Sequence, residues 1–436
     1  MLSPELVGVL GIIVLFLGLS MGFHIGVTLA GVGFLGFVAL MGFHKSLGML
    51  TTTPYYTVAD YSFIVLPLFL LMGEFAFQGG IGQLLYKAAA KWLGRIYGGL
   101  AMATTASAAL FSSLTGSSLA TAATFSKLAV PEMMALNFDK KLACGVVAAS
   151  GSLAALIPPS GLMVLFSVFT EVSLGKLFIA GIFPGILSAM IYICMIYFRV
   201  RMDPSSGPRT TDIASFKEKV LILRWLAPVG IVVVVMLGGI YGGIFSPIEA
   251  GAVGAFTVFI VVVARRSLSL AAMKTSLMNA ARTSAMIFFL VIGSIIFGKF
   301  LVISGLPDTL LTFVKDLAVP RIFILVSVLL LYTVLGTFLD VVAMLAITLP
   351  TFFPLLHGLG FDGIWIGILT IKMIEIAAIT PPIGLNVYVV KGVVGDVINL
   401  RDLFQGILPF FAMDVLTLAI LVAFPQISLW LPSKMF

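Results

Sequence analysis

Charge is what this 436-residue chain has least of. Only 10% of its residues are Asp, Glu, Lys or Arg, while 61% are hydrophobic; a soluble domain carries about a quarter charged residues. Cysteine is scarce too. Cys144 and Cys194 both lie in apolar context, which leaves no disulfide framework or thiolate metal site. The three histidines, His24, His44 and His357, have no ligand-like spacing and read as structural. No P-loop, H-E-x-x-H or G-x-S-x-G occurs, so neither ATP hydrolysis nor a familiar hydrolytic site has support, and no enzyme is expected. The match to G-x-G-x-x-G, "GVGFLG" at 31–36, lies in a continuous apolar run without βαβ context and reads as helix packing through small residues. The net charge of +7 would suggest nucleic acid in a soluble chain; here it reads as basic cytoplasmic loops, with no nucleic-acid partner.

What fills the chain instead is a series of apolar runs near bilayer-spanning length: 5–20, 25–42, 62–79, 177–198, 226–244, 283–302 and 407–424. Mean hydropathy is +1.20. The fold class is therefore an all-α polytopic membrane protein. Residues 1–20 lack a basic start and read as a first span rather than a cleavable signal peptide.

The chain repeats itself. "ALIPPSGLMV" at 155–164 returns as "AITPPIGLNV" at 378–387, an offset of 223. "LNFD" at 136–139 and "LGFD" at 359–362 share that offset, as do Pro131 and Pro354. "GIFPG" at 181–185 lines up with "GILPF" at 406–410, and "GGIGQLL" at 79–85 resembles "SGLPDTLL" at 304–311. The first repeat spans 1–198: scaffold spans within 5–79, a hairpin at 97–135, a broken helix at 140–170 and a last span at 177–198. A cytoplasmic linker covers 199–219. The second repeat spans 220–436: scaffold spans within 226–302, a hairpin at 321–356, a broken helix at 363–395 and a last span at 407–424.

Each hairpin segment carries turn-formers near its middle, "SSLTGSS" at 112–118 and "LGTFLD" at 335–340. Arm length alone allows either two full crossings or a re-entrant dip; the polar tips favour re-entry. Five crossings per half invert the second half relative to the first. That topology puts most of the 25 Lys and Arg on one side, which is then cytoplasmic, with both termini periplasmic.

Proline lacks the N–H that a helix interior needs, so Pro158-Pro159 and Pro381-Pro382 break their helices at membrane depth. Irregular backbone is tolerated there only when it is buried in protein or lines a wet cavity, and broken helices in paired positions point to a transporter binding site. Helix C-termini and free carbonyls suit a small cation, and helix N-termini suit an anion. Ser112, Ser113, Thr115, Ser117, Ser118 and Ser160, with Thr337, Asp340, Thr380 and Asn386, supply hard oxygens that match a sodium-like ion rather than zinc or copper. Among intramembrane charges, Asp340 is the functional candidate. Glu74, Glu249, Lys372, Glu375 and Asp414 are open to structural pairing, with Lys372 and Glu375 three residues apart on a helix, and Lys299 snorkels at a span end.

Five stretches, "LMGEFAFQGGIGQLL" (71–85), "FSSLTGSSLATAAT" (111–124), "IPPSG" (157–161), "LGTFLDVVAMLAITLPTFFPL" (335–355) and "ITPPIGLNVYV" (379–389), resemble the large membrane subunit of tripartite ATP-independent periplasmic (TRAP) transporters over essentially the whole chain. The resemblance implies an elevator-type ion-transporter architecture of two inverted repeats in a bacterial inner membrane, and sodium-driven uptake of a dicarboxylate or sialic-acid-like organic acid. It implies two partners, a small four-helix membrane subunit, expected here as a separate polypeptide, and a soluble periplasmic substrate-binding protein. No cofactor is implied beyond sodium as coupling ion. Carried over by position, one sodium site involves Ser113, Thr115, Gly116, Ser117, Pro158 and Ser160. The other involves Gly336, Thr337, Asp340, Thr380, Pro381 and Asn386. Ser117, Ser118, Ser160, Asp340 and Asn386 are the substrate contacts. Ser160 aligns with Ile383 and Met163 with Asn386, so backbone carbonyls must supply what the two sites share. A self-sufficient divalent-anion symporter is the alternative, and a channel or membrane enzyme fits less well.

Overall fold

A computed structural model describes residues 3–210, 215–317, 319–336 and 338–435. Among these residues every regular element is helical. The chain opens with α1 (Pro4–Ser20), α2 (Ile25–Met41) and α3 (Phe43–Ala59); a 3-10 turn (Tyr61–Ile64) then leads into α4 (Val65–Gln78), followed by α5 (Ile81–Leu93). A hairpin of α6 (Gly99–Thr115) and α7 (Ser118–Ala135) comes next, then α8 (Lys140–Ser152) with a 3-10 turn (Leu153–Ala155), α9 (Gly161–Thr170) and α10 (Leu174–Met202). The second half runs α11 (Phe216–Ile222), α12 (Ala227–Tyr241), α13 (Pro247–Ala264), α14 (Leu270–Ile303) and α15 (Leu306–Asp316). It closes with a hairpin of α16 (Arg321–Leu335) and α17 (Val341–Gly358), then α18 (Gly363–Ala377), α19 (Leu385–Val394), α20 (Leu400–Ala423) and α21 (Gln426–Met435). The order of hairpin, interrupted helix and long helix thus occurs twice.

Six helical stretches among the described residues are long and apolar enough to cross a membrane: Tyr61–Gln78, Leu174–Met202, Pro247–Ala264, Leu270–Ile303, Val341–Gly358 and Leu400–Ala423. Their outward faces keep large apolar side chains exposed, such as Ile186, Phe256 and Leu408. Contiguous exposed apolar surface on this scale is expected where lipid is the solvent.

Helix ends follow local chemistry. Ser246-Pro247-x-Glu249 forms a capping box: Ser246 N–H donates to Glu249 Oε2 at 2.7 Å, and Glu249 N–H donates to Ser246 Oγ at 3.3 Å. Glu249 is thereby a cap rather than a buried ion pair. The "GVGFLG" stretch packs as its composition suggests. A Cβ at Gly33 would lie 2.9 Å from Phe297 N and Cα, and one at Gly36 would collide with the Phe300 ring, so α2 and α14 approach closely. Leu15, Leu29, Val32, Phe297 and Phe300 form a core there, separate from the larger core under the hairpins and broken helices.

Three helical features exceed the sequence expectations. α3 and α21 lie outside the expected spans, and α14 is a 34-residue helix that begins at Leu270, well ahead of the expected span at 283–302. α3 is rich in Thr and Tyr, which lowers its hydropathy, yet it packs on α2 and α14. α14 holds no proline, so nothing stops its hydrogen-bond ladder at the polar-to-apolar change in its sequence.

Candidate ion and substrate site

Proline decides the geometry of the first break. Without an N–H, Pro159 leaves the carbonyl of Ala155 unserved, and the Ser160 hydroxyl donates to it instead at 2.6 Å. Pro158 and Pro159 are joined by a cis peptide, and both are buried together with Ser160. Helix resumes at Gly161 with its first N–H groups free for a ligand or a neighbour.

The first hairpin tip rests on this break. α6 ends at Thr115, and Gly116 takes the left-handed conformation at φ +54°, where a Cβ is unfavourable. Ser117 caps α7 by accepting the Ala120 N–H at 3.3 Å. A Cβ on Gly116 would stand 3.1 Å from Gly161 N and 3.3 Å from the Pro159 carbonyl oxygen. Backbone meets backbone, with a helix C-terminus and two helix N-termini converging. Ser112, Ser113 and Ser160 each direct the hydroxyl proton to a main-chain carbonyl, at 2.7, 2.7 and 2.6 Å. What these side chains offer a ligand is therefore an oxygen lone pair, which suits a cation. Thr115 pairs with Thr121 at 3.0 Å, while Gly116, Ser117 and Ser118 are half-buried at the rim.

The second tip is built differently. A Cβ on Gly336 would collide with the Ala377 Cβ, so this tip presses on the end of α18. Thr337 lies outside the described residues. Asp340 caps α17, with its Oδ1 accepting the Val342 and Ala343 N–H groups at 2.9 and 3.1 Å. Pro382 leaves the Ala378 carbonyl unserved, and the Asn386 N–H donates to it at 3.0 Å. Thr380 donates to the Ile376 carbonyl at 2.7 Å. Pro381 and Pro382, also joined by a cis peptide, are exposed, unlike their counterparts in the first break.

Asn386 reaches in an unforeseen direction. It is fully buried, and its Nδ2 donates to the Ala148 carbonyl of α8 at 3.1 Å, while its Oδ1 meets no donor among the described residues. α19 as a whole packs on α7 and α8, and α9 packs on α17. Each helix that follows a break thus lies against the other half's hairpin. A second close approach, also missed from sequence, joins α4 to the first tip: a Cβ on Gly73 would stand 2.8 Å from the Thr115 carbonyl oxygen.

The remaining intramembrane charges have partners. Glu74 accepts from Asn279 Nδ2 at 3.2 Å, and Lys299 donates to Thr53 at 3.4 Å. Lys372 meets Glu375 at 3.2 Å, as the three-residue spacing suggested, but its shorter contact is Asp414 Oδ1 at 2.7 Å. Asp414 lies 42 positions away in sequence, so helix periodicity carries no signal for that pairing.

Apolar spans, two helical hairpins and two proline-broken helices together define a multi-pass membrane protein of transporter architecture. Residues 12–427 match the family described as "Tripartite ATP-independent periplasmic transporter, DctM component", and the chain belongs to that family. It is 34% identical over 386 residues to the C4-dicarboxylate TRAP transporter large permease protein DctM of Pseudomonas aeruginosa, covering 86% of this chain and 87% of that one. It is 31% identical over 376 residues to the isethionate TRAP transporter permease protein DctMQ of Oleidesulfovibrio alaskensis, covering 86% of this chain but 58% of that longer one. The solved structure of the Alcanivorax borkumensis YdaH transporter, described as having an unusual topology, superposes with a TM-score of 0.61 at 17% identity, over 89% of this chain and 90% of that one, a likeness of fold. The five motifs that suggested the TRAP large subunit are borne out, and the chain is a multi-pass inner-membrane component of such a transporter.

Proposed function

We propose that this chain is the translocating subunit of a sodium-coupled importer of a small organic acid. The observation that carries the reading is the seating of Gly116 on Pro159–Gly161, where carbonyls, hydroxyl lone pairs and helix N-termini converge at one place in the molecule. Ser113, Thr115, Gly116, Ser117, Pro158 and Ser160 hold one sodium ion; Gly336, Thr337, Asp340, Thr380 and Pro381 hold a second. Asn386, buried against α8 with a free Oδ1, joins the second set. Bound sodium offsets part of the cost of carrying a carboxylate through low dielectric. The organic acid lies between the tips, touched by Ser117, Ser118, Ser160, Asp340 and Asn386. The two hairpins and broken helices move as one body past a scaffold built on α1, α2, α4 and α12–α14, in elevator fashion, with both termini periplasmic.

A small four-helix membrane subunit widens that scaffold, and a periplasmic binding protein delivers the substrate. Two similar proteins are named for C4-dicarboxylates and isethionate, both small organic anions. The test is uptake of a panel of such acids into proteoliposomes containing this chain and the small subunit, with loaded binding protein outside. Uptake that requires an inward sodium gradient and the soluble protein is the expected result. Equal uptake in potassium overturns the coupling; uptake without the soluble protein favours a self-sufficient symporter; ohmic current without coupled uptake favours a channel.

A further inference from the structure

The cluster around Lys372 is the densest set of buried charges among the described residues, and it lies outside the tip-and-break sites. Lys372, Glu375 and Asp414 are each 0% exposed. Asp414 lies near the middle of the 24-residue α20, and Ser188 is at the centre of the 29-residue α10, so the cluster is far from either helix end. The ammonium donates to Asp414 Oδ1 at 2.7 Å and to Ser188 Oγ at 3.1 Å, and Glu375 Oε2 stands 3.2 Å away as an ion-pair partner outside hydrogen-bond geometry.

The acceptors outnumber these donors. Both Glu375 carboxyl oxygens and Asp414 Oδ2 are buried and receive no hydrogen bond from any described residue. Tyr192, fully buried one turn beyond Ser188, also has an unpartnered hydroxyl, within electrostatic reach of Asp414 and Glu375. The Ser152 hydroxyl beside Glu375 has a single proton and lies 2.7 Å from the Ala149 carbonyl, to which it donates. With both carboxyls ionised the cluster carries one uncompensated negative charge and at least one acceptor without a donor, an arrangement a dry interior does not tolerate.

We propose that this cluster is a proton-binding site: Glu375 carries one proton, which makes the set electrically neutral and supplies the missing donor. Asp414 keeps its charge because it holds the shorter contact to the ammonium. The proton, not a further sodium ion, is the ligand, because Lys372 already occupies the position a metal would take between the two carboxylates. Among the described residues, the other titratable groups on elements packed against α18 stand apart. Tyr332 on α16 accepts from Thr348 at 2.7 Å; His357 on α17 contacts the Phe361 carbonyl. Glu171 follows α9, Lys434 closes α21, and Lys176, Arg199, Arg201, Arg401 and Asp402 lie at the ends of α10 and α20. The proposal does not depend on the transport reading.

Infrared spectroscopy of the full chain in lipid tests it directly. Wild type should show a protonated-carboxyl carbonyl band that shifts in deuterium oxide. Glu375→Gln should lose that band because the group is gone. Asp414→Asn should lose it as well, because Glu375 then becomes the sole counter-ion of Lys372 and ionises. The band should be the same in sodium and in choline buffer. A band retained in Glu375→Gln, or one that disappears from wild type on adding sodium, overturns the proposal. If either variant fails to accumulate, wild type alone decides. A proton held only in the folded state makes the unfolding midpoint fall as pH rises, in step with loss of the band; a band absent throughout overturns the site.

Discussion

Gly116→Ala is the sharpest perturbation of the tip-and-break contact. The residue sits at φ +54°, and placing an L side chain in that region costs roughly 1–2 kcal/mol. The new Cβ would meet Gly161 N at 3.1 Å and the Pro159 carbonyl oxygen at 3.3 Å. Both neighbours are backbone atoms, which cannot rotate aside. Strain and crowding together come to about 1–3 kcal/mol, roughly a 5- to 150-fold change in an equilibrium constant. If the seated tip is what binds sodium, the loss falls on sodium affinity. The assay is a sodium titration of the unfolding midpoint of the purified protein, run beside Gly31→Ala. Gly31 is exposed on α2, and a Cβ there would meet nothing within 4 Å. Gly116→Ala should need several-fold to a hundred-fold more sodium for the same stabilisation, while Gly31→Ala should titrate like wild type. Unchanged sodium affinity in Gly116→Ala would refute the reasoning, since the strain would then be absorbed without moving the site.

Asp340 separates capping from charge. Asp340→Ala removes the acceptor of two N–H groups and should cost about 0.5–2 kcal/mol of stability; Asp340→Asn should keep the cap and the unfolding midpoint but lose sodium-dependent uptake. Lys372→Met leaves two buried carboxyls without their cation and should destabilise by about 3–5 kcal/mol, seen as poor recovery from membranes, with Asp414→Asn added on top restoring part of the yield. Gly73→Val drives a side chain into the Thr115 backbone, where even a Cβ would stand 2.8 Å from the carbonyl oxygen. It should therefore slow uptake more than it lowers the unfolding midpoint. The half-exposed surface pair Lys141–Asp402, at 3.0 Å, should contribute almost nothing, so Lys141→Gln should leave the unfolding midpoint within error at moderate salt.

Much of this protein is legible in its amino acids because the signals are local. Paired prolines remove N–H donors whatever surrounds them, so both breaks fall where 157–161 and 380–384 place them. Gly116 and Ser117 make a turn by their own conformational preferences, and the hairpin of α6 and α7 follows. Hydropathy, by contrast, reports exposure to lipid rather than hydrogen bonding. It therefore passed over α3, which stays helical through its internal Pro54, and cut α14 short, although α14 holds no proline to interrupt it.

Tertiary structure decided which elements face one another. Lys372 had a visible partner three residues away, yet its shorter ion pair is with Asp414 on another helix. Asn386 aligns with the second break but bonds to Ala148 in the first half, because α19 lies on α7 and α8. Gly73 carried no mark of its contact with Thr115. Helix formation is written in bonds between residues four apart. Such cross-chain pairings arise only when apolar faces pack and bring distant polar groups into a space without water, where each must find a partner.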